Sequence, residues 1–110
     1  MIEITIKRSK LGHIQSFSIS GHANFANRGQ DIVCAGVSAV SFGTVNAIVK
    51  LTEIEPDVEQ GQNGFLRCVF PENLPINIQA RVQLLLEGML VSLQTIERDY
   101  KKYVQIKIVK

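Results

Sequence analysis

The chain has 110 residues, 45% of them hydrophobic, with 12 basic and 10 acidic side chains and a formal charge of +2. That length supports one domain with one core and is too short for two. The apolar content argues for a folded chain rather than a disordered one, and so mild a charge does not imply nucleic-acid binding, which usually announces itself as a concentrated basic patch.

Met1 to Lys7 alternates, Ile2, Ile4 and Ile6 against Glu3, Thr5 and Lys7, which is the period of a half-buried strand. It lacks the apolar centre of a signal peptide, so the chain is expected in the cytoplasm with reduced thiols. Lys7, Arg8 and Lys10 read as a solvated hairpin end, and Leu11-Gly12-His13 as a turn that leaves His13 exposed. Ile14 to Ser20 is a second strand, with Phe17 and Ile19 facing inward. Gly21 to Gln30 is a long polar loop in which two glycines, Asn24 and Asn27 suit turns and mobility.

Asp31 is a credible N-cap for a helix running to about Leu51. Ile32 to Val49 carries no formal charge, but it is shorter than the ~20 apolar residues of a membrane span. It also holds Ser38, Ser41, Thr44 and Asn46, so a core helix is expected. Gly36, Ala39, Gly43 and Ala47 mark a face open to close approach by another backbone.

After Pro56, Asp57 to Gln60 is a short strand, Gly61-Gln62-Asn63-Gly64 a hairpin turn and Phe65 to Phe70 a strand. Leu66, Cys68 and Phe70 share one face there, so Cys68 reads as a buried small hydrophobe. Pro71 stops that strand. Asn73 is expected to cap a second helix reaching Asp99, with Pro75 in its first turn. Its stripe of Ile78, Val82, Leu85, Met89, Ser92 and Ile96 is widened by Leu86, Leu90 and Leu93, beyond what one small sheet should cover. The surplus predicts a homodimer contact. Tyr103 to Val109 alternates as a last strand. The order β-β-α-β-β-α-β, with polar outer faces on the strands, predicts an α+β fold. It is a two-layer α/β sandwich whose five-stranded mixed sheet carries two long helices on one face.

One segment carries chemistry. With Asp31 as cap, Cys34 falls in the first helical turn, near unpaired backbone N–H groups and the positive end of the helix dipole. Both favour a thiolate, and the same N–H groups are candidates to hold the oxyanion of a tetrahedral intermediate. His22, on the loop beside Gly21, is the candidate base; the short connection to Cys34 closes easily. Asp31 serves either as cap alone or as orienter of His22. Ser38, one turn after Cys34, either bonds within the site or satisfies itself on the helix backbone. A cysteine in an Ile-Val-Cys-Ala run also reads as a core residue. Spacing and periodicity leave both readings open.

Gly21-His22-Ala23, followed by Gly29-x-Asp31-Ile32-Val33-Cys34-Ala35-Gly36-Val37-Ser38, resembles the signature of the ribosomal-processing cysteine proteases called Prp. The likeness extends to the opening strands, the central hairpin, the long amphipathic helix and Asp99-Tyr100-x-x-Tyr103, so nearly the whole chain is covered. The resemblance implies a single cysteine-protease domain over 1–110, with His22 as base and Cys34 as nucleophile, and neither metal nor cofactor. It implies a peptide substrate, the N-terminally extended form of large-subunit ribosomal protein twenty-seven, and a homodimer; no nucleic acid or membrane is expected as a partner. The loop is then expected to fold over bound peptide, with Phe25 against an apolar substrate side chain. The alternatives are a non-catalytic ribosome-assembly binding factor and a thiol acyltransferase or thioesterase using the same pair.

Overall fold

The computed structural model describes residues 1–27 and 29–110, so residue 28 of the loop expected over 21–30 lies outside them. The expected elements are present in the expected order: β1 (Ile2–Arg8), β2 (Ile14–Ser20), α1 (Ile32–Thr52), β3 (Asp57–Gln60), β4 (Leu66–Val69), α2 (Ile76–Asp99) and β5 (Val104–Val109). One five-stranded sheet runs β3-β4-β2-β1-β5. All its pairs are antiparallel except β1 with β5.

Register explains the single apolar face. Ile4 stands between Ile19 and Ile106, and Phe17 between Ile6 and Cys68. These side chains therefore line up on one side. Glu3, Thr5, Lys7, Ser18 and Arg67 fall on the other. The inner face meets Val33, Val37 and Ile48 of α1 and Val82, Leu86, Met89 and Leu93 of α2 in one buried cluster. Burying a side chain of that size contributes about 1.5–3 kcal/mol. The length and apolarity of α1 would also suit a membrane span, yet Val33, Val37, Ser41 and Ile48 are committed to this core.

Two expectations about α2 need correction. Asn73 does not cap it: the helix begins at Ile76, with Pro75 at the cap position and no side-chain cap bond. Proline disfavours the helical region for the residue before it, so Leu74 cannot be a helical residue. The first helical bond runs from the Gln79 N–H to the Pro75 carbonyl at 2.8 Å. Nor are Leu86, Leu90 and Leu93 surplus: all three are buried within this one chain. Because α2 packs against both the sheet and α1, its apolar arc is wider than a sheet-covering helix needs, and it is Ser92 that faces outward. His13, expected to be exposed, is half-buried and lines a cavity of ≈ 280 Å³ at the end of the sheet remote from Cys34.

Candidate active site

Asp31 builds the site from the helix end. Its side chain accepts hydrogen bonds from the Val33 and Cys34 N–H groups at 3.0 Å each through Oδ1. Through Oδ2 it accepts from Phe25 at 2.9 Å and Ala26 at 3.3 Å. One carboxylate thus caps α1 and fastens the preceding loop to it. Burial raises the Asp31 pKa, but bonds from Cys34, Ala26, Phe25 and Val33 outweigh that and hold it below the ordinary carboxyl value. With four backbone donors on it, Asp31 acts as cap and loop anchor. No hydrogen bond joins it to His22 among the described residues.

This anchoring revises the expected oxyanion donors. The first-turn N–H groups of Val33 and Cys34 are spent on Asp31 Oδ1, and that of Ala35 on the Asp31 carbonyl at 3.0 Å. The donor directed at the sulfur comes from the loop instead: the Ala23 N–H lies 3.3 Å from Cys34 Sγ. Ala23 itself is buried in the core cluster, which fixes that N–H in place.

His22 rests on a platform that the sequence did not reveal. Gly21 has φ +86, and a Cβ there would collide with the Met1 carbonyl oxygen. Its N–H donates to the Asn63 carbonyl at 2.8 Å. Gly64, with φ +68, lies so close that a Cβ on it would sit 2.6 Å from the Gly21 oxygen and 3.4 Å from His22 Cε1. The β3–β4 turn therefore packs against the Gly21 backbone and lies beside the imidazole as well as connecting the hairpin. An Asn-Gly dipeptide signals such a turn, but nothing in its spacing says what it touches.

His22, Asp31, Cys34 and Ser38 line one open groove of ≈ 830 Å³ together with Gly21 and the 61–64 turn. That size falls in the usual range of ligand clefts, about 300–1,000 Å³. Ser38 is exposed there, one turn beyond Cys34. Phe25, the residue expected to meet an apolar substrate side chain, is partly exposed. Its ring packs edge-on against Tyr100 and Tyr103, with centroids 5.8 Å and 5.2 Å apart. Such pairs contribute about 0.5–1.5 kcal/mol each beyond their buried area. Cys68 is the opposite of Cys34: fully buried, with burial pushing its thiol pKa up to about 11.

A half-buried thiol at a helix start, an amide aimed at its sulfur and an imidazole on the same groove are the parts of a thiol hydrolase. The chain matches the family described as cysteine protease Prp over residues 1–105, and it belongs to that family: it is a cysteine protease. It is similar to the ribosomal processing cysteine protease Prp of Bacillus subtilis, 51% identical over 107 residues covering 96% of each chain. The Staphylococcus aureus protein of the same name is 41% identical over 109 residues, covering 96% of this chain and 97% of that one. A crystal structure of the S. aureus protease with a covalently linked product peptide superposes with TM-score 0.89 at 38% identity, over 98% of this chain and 99% of the other. The same protease with a substrate peptide gives TM-score 0.83 at 38% identity, with the same coverage.

Proposed function

We propose that the chain is a ribosomal-processing endopeptidase that removes the N-terminal extension of large-subunit ribosomal protein twenty-seven in the cytoplasm, using a Cys34/His22 dyad. The observation that carries this reading is the shared groove: Cys34 and His22 line it together, with the Ala23 N–H on the sulfur. In this mechanism His22 takes the thiol proton, and Cys34 Sγ attacks the scissile carbonyl. An N–H aimed at the sulfur steadies the negative charge before attack. The imidazolium then protonates the leaving amine, which departs and leaves a thioester on Cys34. Water, deprotonated by His22, hydrolyses that thioester and restores the thiol. Asp31 acts on this sequence by placing Cys34 and the loop, not by touching the reacting atoms.

The protein works as a homodimer in this reading. Ile32, Ala35, Ala39, Phe42 and Asn46 form an exposed, uncharged stripe on α1, and Ala35 also lines the groove. A second copy covering that stripe would border the site.

Mass spectrometry of an extended ribosomal-protein peptide is the test. Wild type releases the extension as one discrete fragment, Cys34→Ser and His22→Ala release none, and Cys34→Ser still binds the peptide. An intact peptide after incubation with wild type, or undiminished cleavage by Cys34→Ser, contradicts the assignment.

A further inference from the structure

Tyr100 and Tyr103 bracket the junction of α2 and β5, well separated in sequence from the dyad, and the peptidase reading above gives them no task. Both are held rigidly. The Tyr100 N–H closes α2 on the Ile96 carbonyl at 2.9 Å. The Tyr103 N–H donates to the Tyr100 carbonyl at 2.8 Å, and the Tyr103 carbonyl accepts from the Ile2 N–H at 2.8 Å. Against these rings, which pack on the core, stands Phe25, from a loop otherwise made of glycine, alanine and polar residues. Its ring meets theirs nearly at right angles, 86° to Tyr100 and 78° to Tyr103.

We infer that Phe25, Tyr100 and Tyr103 form an aromatic latch that holds the loop in the arrangement in which it serves Cys34. Besides the buried Ala23, three fastenings hold the loop. Gly21 is tied to Asn63, Phe25 and Ala26 are tied by their N–H groups to Asp31, and the Phe25 ring is tied to the tyrosines. His22 and the Ala23 N–H lie between the first fastening and the other two. Asn24, the residue between Ala23 and Phe25, takes the left-handed φ of +57, a conformation asparagine tolerates, so the chain turns there without strain. Backbone bonds to Asp31 fix the chain path, but Phe25 remains 40% exposed, and short polar loops with few buried contacts open readily. Among the described residues, the latch joins this loop to the α2–β5 junction. The tyrosines are thus positioning residues: they act on Cys34 and His22 through Phe25.

The inference rests on the peptidase reading for its effect on rate, so its test reads the loop separately. In the full chain, Phe25→Ala is expected to speed amide hydrogen exchange across residues 22–27 roughly tenfold or more, the size of two lost aromatic contacts. Its kcat/KM for the extension peptide falls to a similar degree, while the exchange of β1 and α2 stays at wild-type rates. Tyr103→Phe, which keeps the ring, keeps the loop protection. Phe25→Ala combined with Tyr103→Leu exchanges no faster in the loop than Phe25→Ala alone, because the two rings act as one unit. Unchanged loop exchange in Phe25→Ala overturns the latch, and so does a fall in kcat/KM without any change in exchange. Wild type that cleaves no extension peptide removes the proposed substrate, and the exchange data alone then decide the latch.

Discussion

The two ends of the sheet use the same backbone device for different ends. At the end remote from Cys34, Gly12 turns the β1–β2 hairpin with φ +88, and a Cβ there would meet nothing within 4 Å. At the other end, Gly21 and Gly64 also hold positive φ, but each is pressed against neighbouring backbone, and Gly64 lies beside His22. The remote end is closed by side chains. Arg8 pairs with Glu87 through two contacts, one of them 2.9 Å, and Gln83 exchanges hydrogen bonds of 2.7 and 3.0 Å with the Ile14 backbone. A left-handed glycine therefore says only that the chain turns. Whether it carries function depends on what lies where its Cβ would be.

The comparison is broken or sharpened by matched substitutions. Gly64→Ala and Gly12→Ala impose the same kind of left-handed strain, about 1–2 kcal/mol, and both should lower the melting temperature. Only Gly64→Ala displaces the Gly21 carbonyl and His22. A misplacement of the order of 1 Å in catalytic geometry costs about 100-fold, so its kcat/KM should fall by about that factor while Gly12→Ala stays near wild type. Equal activities in the two variants, measured on the same extension peptide, would show the 61–64 turn to be a turn only.

A smaller effect separates the two halves of Asp31. Asp31→Asn keeps a side-chain oxygen for the Val33 and Cys34 N–H groups, and asparagine is as good a cap as aspartate. Its amide nitrogen cannot accept from Phe25 or Ala26. The variant should keep its helix content yet lose about tenfold in kcat/KM, some 1.4 kcal/mol, as the loop is released. Acid exposes the same linkage. Asp31 lies below its ordinary pKa, its burial being outweighed by backbone bonds, and Glu87 lies below its own chiefly through the hydrogen bond from Arg8. The folded chain therefore binds fewer protons than the unfolded one near the ordinary carboxyl pKa of about 4. Stability from both groups is complete above that pH and is lost as pH falls through the lower folded values. Melting curves of wild type should show this loss, and Asp31→Asn should show less of it. A variant with an unchanged acid slope would mean that Asp31 contributes none of it.

Much of the fold was legible because alternation writes strand faces directly into sequence: Ile2, Ile4 and Ile6 could face only one way. Cys34 was legible because an N-cap aspartate sets the helix phase, and a count from Asp31 then gives the turn. What escaped detection lay between segments distant in sequence. The Gly64–His22 approach and the Phe25–tyrosine contacts join loops through space, and no periodicity encodes them. The breadth of α2 misled for a related reason: its apolar arc serves a helix as well as a sheet, and hydrophobicity alone does not say which neighbour is covered. The oxyanion donors were misjudged because an N-cap that makes Cys34 legible also occupies the N–H groups it caps.

The contrast between the two thiols tests the central claim most directly. The folded protein near neutral pH is treated with iodoacetamide, and the peptides carrying Cys34 and Cys68 are followed in time by mass spectrometry. Cys34, on the groove with the Ala23 N–H at its sulfur, should be alkylated first and much faster. Cys68, sealed among strands with its pKa at about 11, should react only as the protein unfolds. Equal sluggishness of the two, or Cys68 reacting first, would contradict the account.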